Sequence, residues 1–159
     1  MYKMIFPMLA LFFLLPAPAF ASHYDLASID LVDATMVKRL AGLDIRTTED
    51  LYNATRTGRR VARLASKIKV QRGEVREWRD FCDMLWIRGV GPKVVRVLKL
   101  TGVRRLTQMS KEDPARLLER IRKQNHIHGV LGKLPGKDTV EGWIEQARDL
   151  VRKRKKRTR

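Results

Sequence analysis

The five residues Gly89-Val90-Gly91-Pro92-Lys93 combine the types needed to hold an anion on a polypeptide backbone. Glycine permits the positive backbone angles of a tight turn and leaves no side chain in the path of a ligand. Proline suits the first position of a following helix, where its missing donor costs nothing. The free amides at such a helix start, together with the positive end of its dipole, attract anions, and a phosphate is a natural occupant. Lys93 lies two residues beyond the turn, within reach of an adjacent phosphate, and Arg88 and Arg96 add charge. Gly89, Val90, Gly91, Lys93, Arg88 and Arg96 are therefore the candidate anion contacts. A second use of the turn stays open, since Gly-Val-Gly also serves to join two packed helices.

The elements around the turn read as helix. Met36, Val37, Leu40 and Leu43 are spaced for one helical face, and Thr47 with Asp50 fits a capping box that opens the next segment. Val61, Leu64, Ala65 and Ile68 keep the same period, as do Val75, Trp78, Cys82 and Leu85 after a break at Gly73. Asp113-Pro114 is a helix start, with Leu117, Leu118 and Ile121 on its buried face. A loop at 129–136 leads to a last helix from about Thr139 past Leu150, burying Val140, Trp143, Ile144, Ala147 and Leu150. No stretch alternates as a strand would. The expected fold is all-α, a compact bundle of short helices, with one domain over residues 22–151.

Both ends carry other signals. Lys3, the apolar run Met4 to Leu15, Pro16 and then Ala19-Phe20-Ala21 follow the order of a secretory signal peptide over residues 1–21, with cleavage expected after Ala21. The run is too short for a bilayer span of about 20 residues and is interrupted by Pro7, so no transmembrane helix is expected after cleavage. An exported protein, periplasmic or secreted, is implied. The formal net charge is +17, and seven positive charges lie in the tail at 152–159, which is expected to be disordered and to fray the final helix. The body is basic without the tail, and such a field attracts polyanions: nucleic acid, anionic lipid or acidic cell-wall polymer.

An internal repeat connects the turn to the rest. At an offset of 58 residues Ile29, Val32, Val37, Leu40, Ile45 and Leu51 fall on Ile87, Val90, Val95, Leu98, Val103 and Met109, and Arg46 falls on Arg104. The glycines do not match: Gly89, Gly91 and Gly102 face Leu31, Asp33 and Asp44. Two copies of one unit are expected, the first degenerate. The glycine turn between apolar helices resembles the helix-hairpin-helix superfamily. The span from about Ile29 to Leu150, including Val140-Glu141-Gly142-Trp143-Ile144-Glu145-Gln146-Ala147, is similar to a bacterial domain family of unknown function built from paired units of that kind. The resemblance implies DNA contact through turn amides to phosphate oxygens, without base readout, passing to Gly89, Val90 and Gly91 with Lys93 assisting. Asp33 would repel phosphate in the first copy, which the resemblance leaves structural.

Other residues carry no comparable signal. Leu134-Pro135-Gly136-Lys137 resembles the hairpin opening of DNA-repair glycosylases but lacks a second glycine in register, and reads as a loop. His126 and His128 flank Ile127, His23 is distant, and no cysteine ligand accompanies them, so no metal or cofactor is expected. Cys82, the only cysteine, sits among Phe81, Met84 and Leu85 and reads as a small core residue without a triad. The carboxylates are interleaved with arginine, as in 74–80, in the manner of exposed ion pairs. A non-enzymatic protein that binds DNA non-specifically is expected. The alternatives are a protein-interaction scaffold of the cell envelope with structural hairpins, and contact of the basic tail with an anionic surface.

Overall fold

Short polar side chains fix where several of the helices begin. The computed structural model of the chain describes residues 23–157, so the expected signal segment lies outside the described residues. After a 3-10 turn at Leu26–Ser28, Asp33 accepts a hydrogen bond at 2.8 Å from the Met36 amide and opens α1 (Ala34–Ala41). The expected capping box forms at the start of α2 (Thr48–Ala54): the Asp50 amide donates to the Thr47 hydroxyl at 3.1 Å, and the Thr47 amide donates back to the Asp50 carboxylate at 2.9 Å. Burial works against the Asp50 charge, but the bonds from the Thr47 hydroxyl and from the Thr47 and Arg46 amides prevail and hold this carboxyl below its usual range. Thr57 caps α3 (Gly58–Ile68) through the Arg60 amide. The next three helices, α4 (Arg72–Met84), α5 (Pro92–Leu100) and α6 (Leu106–Met109), begin without a side-chain cap. Asp113 and Pro114 together start α7 (Pro114–His128), as their order requires, and α8 (Lys137–Arg157) follows the loop after Gly129.

Among the described residues the only sheet-like contact is an isolated antiparallel bridge between Asp25 and Thr47, so the all-α expectation holds. No described helix is long and apolar enough to cross a membrane. The apolar stripes close one core, in which Leu40, Leu51, Met84, Ile87, Leu98, Met109, Leu117 and Ile144 are fully enclosed. Within it α4 packs on α2 and α3, while α8 packs on α6 and α7. Leu43 departs from the sequence expectation: α1 stops at Ala41, the turn carries Leu43 off the helical face, and it is 37 % exposed. Cys82 is buried, and burial, with Asp83 nearby, pushes its thiol up to about 12.

The 58-residue offset reappears in the hydrogen bonds. After α1 the Ile45 amide donates to the Leu40 carbonyl at 3.0 Å, and after α5 the Val103 amide donates to Leu98 at 2.9 Å. Asp44 and Gly102 hold the same place in the two turns, both at positive φ, 58° and 91°. The Arg46 amide then donates to the Asp50 carboxylate and the Arg104 amide to the Gln108 carboxamide, at 3.1 and 2.9 Å. Matching bonds at one fixed spacing show that the apolar match in sequence accompanies a repeated local structure from the end of each helix through its closing turn. Aspartate tolerates the left-handed region better than most residues, which is why the first copy forms this turn without glycine.

The last helix runs further than the sequence expectation of a disordered tail at 152–159. Helix α8 continues through Arg157. Like charges fray an unsupported helix end, but these turns are held by tertiary contact. The Arg154 guanidinium donates to the Asp83 carboxylate at 2.6 Å and lies 5.6 Å from the Tyr52 ring centroid, while within the helix itself Arg152 pairs with Asp149 at 2.7 Å. The Asp83 side chain is 15 % exposed, and its second oxygen has no partner among the described residues. Burial pushes its carboxyl up, and Arg154 offsets part of that. A carboxyl whose folded pKa lies above its unfolded one binds its proton more tightly in the fold. Its contribution to stability therefore falls as pH rises from the unfolded value of about 4 through the folded one. Arg154→Ala should widen that window, costing about 1–3 kcal/mol near pH 7, where Asp83 is left charged without its partner, and markedly less near pH 4.5. Urea unfolding of wild type and variant at both pH values measures this, and an equal loss at the two would contradict the account.

Candidate nucleic-acid interface

The turn between α4 and α5 is built by the residues the sequence singled out. Gly89 takes φ +85°, which only glycine adopts without strain, and Gly91, at φ −93°, is the residue immediately before α5. Pro92 occupies the first position of that helix. The Val90 side chain is buried at 4 % exposure and anchors the turn in the core. Its amide donates to the Ile87 carbonyl at 3.0 Å, so of the three turn amides expected to face an anion this one is occupied internally. Those of Gly89 and Gly91 find no acceptor among the described residues. The Lys93 and Val94 amides, in the first turn of α5, lack an intrahelical acceptor as at the start of any helix, and no side chain caps them.

Comparison with the first copy defines what is distinctive here. Asp33 stands at the place of Gly91, and its carboxylate takes up the Met36 amide, the counterpart of Val94. The α1 start is closed by its own negative charge, whereas the α5 start is left open and positive.

Two elements distant in sequence brace the turn. From α8, the Gln146 carboxamide oxygen accepts from the Arg88 amide at 2.9 Å, while its nitrogen donates to the Gly142 carbonyl at 3.2 Å. A Cβ at Gly89 would stand 3.2 Å from the Trp143 indole nitrogen, and one at Gly91 3.3 Å from the Tyr24 hydroxyl. Backbone geometry therefore selects glycine at 89, with the indole close by, whereas at 91 the backbone is ordinary and a small shift of the Tyr24 hydroxyl would admit a Cβ. Gln146, Trp143 and Tyr24 went unnoticed in the turn's own sequence. The span at 140–147 marked α8 as part of the repeated architecture, but nothing local tied it to this loop.

The charged candidates divide. The Arg88 and Lys93 side chains are exposed, and neither meets a carboxylate among the described residues. Arg96 is committed elsewhere: it pairs at 2.8 Å with Asp30, in the first copy, and so ties the two copies together at this face. Among the described residues no three His, Cys, Asp or Glu side chains converge as metal ligands, and His23 lies beside Glu49 at 3.4 Å.

The family model for a domain of unknown function, DUF4332, matches residues 32–150. The chain belongs to the DUF4332 family. The DUF4332 match spans the helices of both copies, the α4–α5 turn and the Trp143 and Gln146 positions that brace it. No curated protein and no solved structure matches the chain.

The bracing gives a stability prediction. Gly89→Ala should destabilise the protein by about 1–2 kcal/mol from the positive φ alone, and more if Trp143 fails to yield. Gly91→Ala, at an ordinary φ and against the end of a tyrosine side chain, should cost clearly less. Chemical denaturation midpoints rank the two, and a larger loss at Gly91 would refute this assignment of roles.

Proposed function

We propose that this protein is an exported, non-enzymatic member of the helix-hairpin-helix superfamily that binds the backbone of nucleic acid without reading its bases. The observation that carries the reading is the open α5 start. Uncapped amides behind Gly89 and Gly91, the positive end of a helix dipole and the exposed Lys93 and Arg88 meet at one turn, whereas the equivalent start in the first copy is closed by Asp33. Phosphate contact of this kind positions a duplex but carries no sequence information. The internal use of the Val90 amide and the Arg96–Asp30 pair narrow the contact to Gly89, Gly91, Lys93 and Arg88.

The scaffold alternative draws on a different observation. The Arg88 amide and the Gly89 backbone are knitted to α8 by Gln146 and Trp143, which is what a purely structural joint needs. On that reading the partner is an envelope protein. The exposed tail lysines Lys153 and Lys156 remain available to an anionic surface on either reading.

Duplex binding measured across salt distinguishes them. Wild type should bind with micromolar or weaker affinity that falls steeply with salt. Gly91→Asp, which gives the second copy the closing carboxylate of the first, and Lys93→Glu should each weaken binding at least tenfold. Deleting the tail is a poor comparison because Arg154 holds α8 to Asp83, so Lys153→Gln with Lys156→Gln is the control and should have the smaller effect. Unchanged binding in both turn variants would remove the turn from the mechanism, and envelope proteins retained after nuclease treatment would favour the scaffold. Export is tested by N-terminal sequencing of the mature protein, which should begin at Ser22; a protein retained with Met1 in the cytoplasm would overturn it.

A further inference from the structure

A second run of positive charge lies away from the α4–α5 turn. From Leu51 to Gly73 the chain carries seven Arg or Lys and no Asp or Glu. Helix α3 runs through this stretch and buries Val61, Leu64, Ala65 and Ile68. Its outward face is left to Arg59, Arg63 and Lys67, all exposed and spaced four residues apart, about 6 Å along the helix at each step. None of the three meets a carboxylate among the described residues.

The row ends in an open pocket of about 430 Å³ between the last turns of α1 and α3, lined by Lys38, Arg39, Lys67 and Lys69 around Gly42, Leu43 and Ile68. Arg39 is fixed there by donating to the Ile68 carbonyl at 3.2 Å. Cations at helix C-termini have an ordinary role, complementing the negative dipole end. Two helix ends supply about one negative charge between them, however, and four cations converge. Some three positive charges are left for an external anion.

We propose that the α3 face and the α1–α3 pocket form a second contact for the backbone of a nucleic acid strand, independent of the α4–α5 turn. It rests on the reading that the protein's ligand is nucleic acid, and on none of the residues of the turn. A continuous row of cations leading into a cationic pocket fits a linear phosphodiester chain, and the arginine forks match phosphate oxygens in pairs. A bilayer surface fits less well. An interfacial helix inserts an apolar face, and the apolar face of α3 is consumed by the core, leaving only Leu43 at the pocket edge.

The test measures duplex binding by the full chain across salt for wild type, Gly91→Asp, a pocket-and-row variant (Lys38→Gln, Arg63→Gln, Lys67→Gln) and a charge-matched control on α7 (Arg116→Gln, Arg122→Gln, Lys123→Gln). All six neutralised side chains are exposed, and thermal melts check that each variant folds. The pocket-and-row variant should bind at least tenfold more weakly at 0.1 M salt. Its log–log salt slope should flatten by about 2–3, near 0.9 for each lost phosphate contact, with a much smaller change in the α7 control. Wild-type behaviour of the pocket-and-row variant overturns the inference, as does an equal loss in the α7 control, which would reduce the effect to net charge. Co-sedimentation with anionic vesicles, lost in this variant while duplex binding persists, overturns it in favour of a membrane contact. Loss of binding in the pocket-and-row variant alone supports the second contact and sinks the turn; loss in Gly91→Asp alone does the reverse.

Discussion

Of the helices α1 to α6 only α4, with 13 residues, reaches the length of about 12–15 below which an isolated helix is marginal in water even for good helix formers. Their existence depends on the core they share and on the longest helix, α8, which lies across α6 and α7. Trp143, Ile144 and Ala147 are buried along its inner face, and the next polar side chain on that face, Gln146, reaches the α4–α5 turn. One helix therefore both completes the core and fixes the shape of the loop with the most distinctive chemistry. Capping of the short helices is a smaller effect, each cap contributing about 1 kcal/mol, but it decides where the chain turns.

The distribution of acid follows from the same economy of core. Asp80 is buried between Arg79 and Arg105 at 2.6 and 3.1 Å, Asp83 holds Arg154, and Glu112 holds Arg120. These carboxylates sit on α4 and in the loop before α7, where they bind arginines to the body of the protein. A chain with twice as many cations as anions that places several of its anions in this way leaves whole faces without any. The α3 face is the clearest.

Much of the fold was legible because it is written locally. Capping residues three positions from their targets and apolar stripes at the helical period are short-range patterns, and the 58-residue echo between Ile29–Leu51 and Ile87–Met109 repeats one such pattern along the chain. The glycine turn was legible for the same reason. What escaped was tertiary pairing between residues with no local relation: Gln146 to the Arg88 amide, Arg96 to Asp30, and Arg154 to Asp83 and Tyr52. The last of these converts a tail that composition marks as a solvated extension into the end of a docked helix. The acid-free stretch from Leu51 to Gly73 was visible in the sequence, but its meaning needed the burial of the opposite face of α3.

The two copies share the turn that closes their first helices, at Asp44 and Gly102, but differ in charge where helices α1 and α5 begin. Asp33 gives one mouth an acidic lip; Gly91 leaves the other bare, with Lys93 beside it. Two identical mouths would draw an anion equally. Aspartate at one and glycine at the other removes that equivalence. An anion that met both starts would be turned away from the one and drawn to the other.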